Sequence, residues 1–271
     1  MVQQLSLTCD IPKSQFQVLR ITLESLTGMK PRELAQHTVI LKPKFPFNPE
    51  QRAGKINQIE SYRIRMTRIW GNKDPSQTNT TNEGESILDP VNKASIDDSI
   101  WTLQLSDIPA AGKRSVSIQN LYETTIYKTD DVLGYIDELG YMPEVEYWNS
   151  GLRFFYNDII IEIFRLFVAD AKAKSVNIDN EEDTSMTDLD SQTSDNKTPL
   201  KLLDGSGQFQ IKCFVNVAKL NDLDNVARGA KQLESLKSEL SGLIELDVRD
   251  RIMMDSRVGS RIASGSSNVR K

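Results

Sequence analysis

The sequence predicts a mainly β protein built on an antiparallel barrel or curved sheet, with helices over part of its outside. One indication is the segment 141–168, which is the densest run of strand-forming residues in the chain. A second is a series of shorter segments with strand-like alternation, interrupted by a few helical ones. The length of 271 residues is enough for one large core, and all-β barrels often reach this size as a single domain.

The segment 141–168 is expected to form three strands. Asn-Ser-Gly at 149–151 is predicted to reverse the chain after the first strand, and Asn-Asp at 157–158 after the second. The third strand, 159–168, is apolar on both faces apart from one glutamate and one arginine. Both of its faces are therefore expected to be covered, as in a barrel overlaid by helices or by another protein.

Seven other segments have the alternation or the composition of strands. They are 3–9, 38–41, 61–70, 101–105, 115–129, 208–220 and 244–248. The segment 115–129 reads as one long strand or two short ones. Within 61–70, Arg63 and Arg65 alternate with apolar residues and are expected to face solvent.

Three helices are predicted from apolar residues spaced three and four apart and from their end signals. They run over 12–27, from Asp130 or Asp131 to Leu139, and from Asn221 or Asp222 to about Leu243. Aspartates suit the starts of the second and third helices. Gly28, Gly140 and Gly242 suit the ends.

The first helix has apolar residues on two sides. Phe16, Leu19, Leu23 and Leu26 form one stripe, whereas Val18 and Ile21, with Thr22 beside them, lie roughly opposite. The second side could be a surface for a partner, and Val18, Ile21 and Thr22 are its candidate contact residues. The alternative is a helix buried on both sides within its own chain.

The folded part is predicted to be a single β-barrel domain made of 1–70, 99–169 and 199–258. Two polar segments without periodicity, 71–98 and 170–198, are expected to be disordered insertions, the second of them acidic. Residues 259–271 are expected to be a flexible basic tail.

Composition limits the classes of function. The net charge is −5, and 170–198 alone carries eight acidic residues and three lysines, so the rest is near neutral and unlike a basic nucleic-acid domain. Cys9 and Cys213 have no metal-ligand spacing and favour a reducing compartment. The N-terminus lacks signal-peptide features and no apolar run is long enough to span a bilayer, so a soluble, intracellular protein without membrane contact is expected.

Most catalytic arrangements are excluded by counting. His37 is the only histidine, which removes Ser-His-Asp triads and sites with two histidines, and it is expected to be an ordinary surface residue. Phosphate-cradling glycine motifs do not occur. One constellation could act if it pointed into a single barrel, as in a metal-dependent triphosphatase. Its members are Glu144, Glu146, Glu162, Arg63, Arg65 and Arg153.

Two observations weaken the triphosphatase hypothesis. The first strand, QLSLT, lacks the paired glutamates and lysine of tunnel triphosphatases. Pairs of exposed charges on opposing strands would explain the same residues without catalysis.

The basic tail after Arg249 allows non-specific, salt-sensitive contact with nucleic acid, although the acidic 170–198 segment opposes this.

Four stretches resemble a known family. MVQQLSL at 1–7, WTLQLSDIPAAGKRSVSIQ at 101–119, GYMPEVEYWNSGLRFF at 140–155 and ELSGLIELDVRDRIMMDSRV at 239–258 are similar to the fungal form of subunit 18 of the Mediator complex, a head-module subunit. The match covers nearly all the predicted folded regions. None of these stretches is a catalytic or ligand motif.

The resemblance implies a closed antiparallel β-barrel with flanking helices, without enzymatic activity, cofactor or metal. It implies pairing with the similarly folded subunit 20 and attachment to the head through a C-terminal helix of subunit 8. The complex contacts RNA polymerase II and relays activator signals, so a nuclear coactivator is expected, without direct sequence-specific binding of nucleic acid. The barrel shape is shared with RNA triphosphatases, which is why that activity remains the alternative.

Overall fold

The computed structural model describes residues 1–45, 61–70, 83–87, 99–127, 131–170, 198–218 and 222–258. The strands are β1 Val2–Ile11, β2 Arg32–Pro43, β3 Ser61–Tyr62, β4 Ile64–Ile69, β5 Glu83–Gly84, β6 Trp101–Ser106, β7 Ser117–Ile126, β8 Tyr141–Tyr156, β9 Ile159–Ala169, β10 Thr198–Leu202, β11 Phe209–Val217 and β12 Arg257–Val258. The helices are α1 Phe16–Thr27, α2 Val132–Glu138 and α3 Leu223–Glu239, with 3₁₀ turns at Lys13–Gln15 and Arg251–Met254.

Eight strands close into an antiparallel barrel. Their order is β11, β1, β7, β6, β4, β2, β8 and β9, and β9 pairs back onto β11. The short strands β10 and β5 continue the sheet beyond β9 as a branch outside the ring. The expected closed barrel with flanking helices is therefore confirmed.

The main core lies between the outer face of the barrel and the helices α1 and α3. Leu5 and Leu7 of β1 point outward into this core, as do Cys213 and Val215 of β11. The helices contribute their own stripes, Leu19 and Leu23 from α1 and Leu233, Leu236 and Leu240 from the α3 region. A second apolar cluster forms under α2, around Trp101, Val39 and Met66. The strands thus bury their outer faces, which leaves their other faces to line the lumen.

The predicted caps at Asp131, Asp222 and Gly28 are confirmed, whereas α3 ends at Glu239, before the predicted stop at Gly242. Asp131 and Asp222 cap α2 and α3 by accepting hydrogen bonds from the backbone N–H groups of Gly134 and Asn225. Gly28 ends α1 in the left-handed conformation, with φ of 65°. In the described residues, no helix is both long and apolar enough to cross a membrane.

The predicted reversal at 149–151 is wrong, because β8 runs without a break from Tyr141 to Tyr156. A Cβ atom on Gly151 would lie 1.9 Å from the carbonyl oxygen of Ile163 in β9. The glycine is therefore needed because the backbones of β8 and β9 approach closely there. Glycine in a strand can mark such a close approach as well as a turn. The reversal at 157–158 is confirmed, with Asn157 at φ of 54°.

Two other expectations need correction. Segment 244–248 is not a strand: it makes one bridge, between Asp247 and Thr8, while its Ile244 and Leu246 side chains are buried in the main core. Residues 83–87, inside the insertion expected to be disordered, form β5 and pack on the barrel. The rest of that insertion, 71–82 and 88–98, lies outside the described residues, as do 171–197 and 259–271.

Candidate functional site

The outer side of α1 is an exposed apolar surface. Leu19 and Leu23 are fully buried against the barrel, whereas Val18 and Ile21 are 55% and 62% exposed. Thr22 is partly exposed, and its hydroxyl donates a 2.9 Å hydrogen bond to the carbonyl oxygen of Val18. Within the described chain α1 is therefore covered on one side only. That these three residues bind a partner stays a prediction.

The barrel lumen is polar and contains a cavity of about 240 Å³ near one mouth. Six strands contribute to its wall, including Gln4 of β1, Arg65 of β4, Gln104 of β6 and Lys212 of β11. The C-terminal segment crosses this mouth. The Ser256 hydroxyl donates a 2.5 Å hydrogen bond to the carbonyl oxygen of Ser106, and the Ser256 carbonyl oxygen accepts one of 2.8 Å from the backbone N–H of Arg63.

The acidic residues of the predicted triphosphatase site do not come together. Glu144 accepts a 2.6 Å hydrogen bond from Arg63, and Glu162 accepts one of 2.6 Å from Arg153. Glu146 instead pairs with His37. A strand without irregularities would place Glu144 and Glu146 on one face, but the register with β2 shifts between them and leaves Glu144 as an extra residue, so their side chains are separated.

The described residues contain no group of three histidine, cysteine or carboxylate side chains that could hold a metal ion. The charges are instead arranged as separate pairs. Arg63 holds the pKa of the Glu144 carboxyl below its usual value, mainly through the hydrogen bond it donates. Such pairing stabilises the ionised forms of both partners, and it is the arrangement expected of structural rather than metal-binding carboxylates.

His37 is not a surface residue, contrary to expectation. It is fully buried on the outside of β2, stacked on Trp148 at 4.8 Å between ring centroids. Its Nε2 lies 2.7 Å from Glu146 Oε1, and its Nδ1 accepts a 3.0 Å hydrogen bond from Arg68 Nε. Nδ1 is thus unprotonated and Nε2 carries the hydrogen donated to Glu146.

This buried network attaches residues 83–87 to the barrel. Glu146 accepts hydrogen bonds from the hydroxyl of Ser86 and from the backbone N–H of Ile87, both at 2.7 Å. Arg68 donates to the Glu85 carboxylate at 3.1 Å. Arg68 has the same strand parity as Ile64 and Met66, so the alternation in 61–70 already placed it on the apolar face.

Both cysteines are free thiols. Burial raises the pKa of Cys9 to about 12, with further effects of Asp10 and Glu245. Burial also raises the pKa of Cys213, which lies in the main core. Both thiols therefore stay protonated near neutral pH, where the thiol form is a poor nucleophile and metal ligand.

Comparison with known proteins identifies relatives along almost the whole chain. The protein is 29% identical to Mediator of RNA polymerase II transcription subunit 18 of Yarrowia lipolytica, over 95% of this chain and 100% of that protein. The subunit 18 of Eremothecium gossypii is 30% identical, over 96% and 98% of the two chains. That of Candida albicans is 28% identical, over 95% and 99%.

A solved structure of the Schizosaccharomyces pombe Mediator head module contains a chain with the same fold. Its TM-score is 0.63 at 16% sequence identity, and the match covers 91% of this chain and 98% of that one. The model of the Med18 protein family matches residues 3–257, which include every described strand except the first residue of β1 and the last residue of β12. The chain belongs to the Med18 protein family.

Proposed function

We propose that this protein is a non-enzymatic subunit of the Mediator head module and acts in the nucleus as a transcription coactivator. Protein–protein contacts would link activators to RNA polymerase II and support assembly of the preinitiation complex. The observation that carries this function is membership of the Med18 family over residues 3–257. The relatives bear the name of a Mediator subunit, and the similar solved chain belongs to a Mediator head module.

The arrangement of charges supports a structural role. The three carboxylates considered for catalysis are held by three different basic side chains, so no shared cation would be bound between them. Triphosphate hydrolysis in the presence of Mn²⁺ or Mg²⁺ that disappears in a Glu144→Gln variant would contradict this role. The paired arrangement predicts no release of phosphate above a protein-free blank.

The exposed side of α1 is the proposed surface for the C-terminal helix of subunit 8. Val18 and Ile21 are three residues apart, so they lie together along one ridge that a second helix can pack against. Their exposure in the free chain leaves apolar area that a partner would remove from water. Subunit 20 is proposed to bind elsewhere on the barrel, and RNA polymerase II would be contacted through the assembled complex.

Substitution of Ile21 by arginine tests the α1 surface. A charge at this position would have to be desolvated in the complex, so binding of the subunit 8 helix should weaken about 10-fold or more. The affinity would be measured by titrating a labelled subunit 8 helix with the full chain. Because Ile21 is 62% exposed, the fold should not change.

Leu223→Arg is the matched control. Leu223 is 78% exposed at the start of α3, which follows the C-terminal end of β11 at Val217. The α1 helix packs at the opposite end of β11, where Phe16 stacks on Phe209 at 4.2 Å between ring centroids. The control should bind the helix as the unchanged chain does. Equal affinities of the Ile21 variant and the unchanged chain would eliminate α1 as the docking surface.

A further inference from the structure

The cavity in the barrel lumen has more positive charge than its own carboxylates neutralise. Its wall includes Arg63, Arg65, Lys212 and Arg249, against a single acidic residue, Asp255. Arg63 is already paired with Glu144 across 2.6 Å. Asp255 is engaged by Arg257, outside the cavity wall, at 2.9 Å. Three cations, Arg65, Lys212 and Arg249, therefore face the cavity without a carboxylate in salt-bridge contact among the described residues.

Lys212 is the central one of these cations. Its neighbour across the β11–β9 pair is Glu162, the obvious partner in the register. Arg153, however, donates two hydrogen bonds to the same Glu162 oxygen, at 3.0 and 2.6 Å. The Lys212 ammonium group instead lies 4.9 Å from the ring centroid of Phe214. The acid opposite Lys212 in the register is thus paired with another cation.

Arg65 and Arg249 are similarly available. Arg65 makes one long hydrogen bond, of 3.5 Å, to the amide oxygen of Gln104. The amide nitrogen of that glutamine is turned towards Glu123, to which it donates at 2.5 Å. Arg249 is exposed at the mouth of the same cavity. The guanidinium groups therefore keep unused donors on the cavity side.

Positive charge without a counter-charge of this kind is unfavourable. Burial, together with the charges of Arg65 and Arg249, lowers the pKa of Lys212 to about 8, although Glu162 and Glu123 oppose this shift. A half-buried cation without a counter-charge costs free energy that an anion would recover. The cavity of about 240 Å³ has room for a small anion with some of its water.

We propose that the lumen binds a small oxyanion of the phosphate class, with Lys212, Arg65 and Arg249 as its ligands. Three cations around one cavity match an anion with several charges, so an oligophosphate fits better than a single phosphate. The anion is bound and not hydrolysed. This site is independent of the proposed role in Mediator, because its residues line the lumen cavity and its mouth, whereas the α1 surface lies on the outside of the barrel.

Calorimetric titration of the full chain with inorganic tripolyphosphate tests this site. The unchanged chain should bind it, and more tightly than orthophosphate, because more charges are neutralised. Lys212→Met should weaken tripolyphosphate binding by about 10-fold or more, since it removes the positive charge and roughly keeps the size of the side chain. Arg65→Gln is a second variant, which should weaken binding in the same direction.

Lys231→Met is the matched control, because Lys231 is an exposed lysine on α3, away from the lumen. It should bind tripolyphosphate as the unchanged chain does. Circular dichroism and thermal unfolding would establish that each variant is folded. Absence of binding to the unchanged chain, or equal binding by the folded Lys212→Met variant, would overturn the site.

A parallel titration with ATP distinguishes the two sources of such an anion. Binding of both ligands, each weakened by Lys212→Met, supports the site and assigns it to the phosphate chain of a nucleotide whose nucleoside lies at the mouth. Binding of tripolyphosphate alone supports it as a site for the free inorganic anion. Binding of ATP that Lys212→Met leaves unchanged, without binding of tripolyphosphate, contradicts it.

Discussion

His37 holds together groups that are far apart in the sequence. It contacts Arg68, 31 residues away, and Glu146, 109 residues away. Contacts between residues so far apart in the sequence cannot be found from a local sequence pattern. The sequence therefore suggested only a surface histidine. One signal was present: His37 has the same strand parity as Val39 and Leu41, both buried. A polar residue on an apolar strand face is a candidate for a buried network.

The protein should lose stability in two steps as the pH falls. Burial, with the nearby Arg68 charge, lowers the pKa of His37 below 6.5 despite the opposing effects of Glu146 and Glu85. The unfolded chain therefore takes up a proton at His37 near pH 6.5 that the folded chain does not, so stability falls below that pH. Burial raises the pKa of Glu146, but hydrogen bonds from His37, Ser86 and Ile87 bring it below 4.5, so a second loss follows there.

His37→Phe tests this prediction through urea unfolding at a series of pH values. The ring would keep its stacking on Trp148, but Glu146 and Arg68 would each lose a buried partner, at a cost of about 2–4 kcal/mol near pH 7. The variant should also lose the step near pH 6.5, since the chain has no other histidine. Retention of that step would show that His37 is not its origin.

At the scale of elements, helices were predictable because their signals are local. The apolar stripes of α1 and α3, the aspartate caps of α2 and α3 and the glycine cap of α1 each depend on residues that are close in the sequence. β8 was not predicted as one strand, because glycine serves both in turns and where two backbones approach closely. At Gly151 only the position of β9 decides between these roles, and that position depends on long-range pairing.

Gly151→Ala should therefore destabilise the β8–β9 pair. The added methyl group would collide with the backbone of Ile163, at 1.9 Å, so a strand has to move, at a cost of about 2–4 kcal/mol. The measurement is the free energy of unfolding in urea. Gly205→Ala is the control, because an added Cβ there has no neighbour within 4 Å, and it should change stability by less than about 0.5 kcal/mol.

At the scale of the whole molecule, strand content and the apolar outer face could be predicted, but closure and the lumen could not. Alternation of apolar and polar residues defines two faces of each strand, but it does not indicate which face lines the inside of a barrel. The pairing of β9 with β11 closes the ring, and residues such as Lys212 then lie inside it. The candidate α1 surface was found from its spacing, whereas the lumen cations become a site only through closure.

Activator-dependent transcription in a yeast nuclear extract that lacks subunit 18 tests whether the protein acts as a Mediator subunit. Addition of the purified chain should restore the transcript made by RNA polymerase II, with the unsupplemented extract and the heat-denatured chain as controls. The folded chain and the Glu144→Gln variant should both restore transcription, because the proposed role needs no catalytic carboxylate. Failure of the folded chain to restore transcription, while native subunit 18 does so in the same extract, would contradict it.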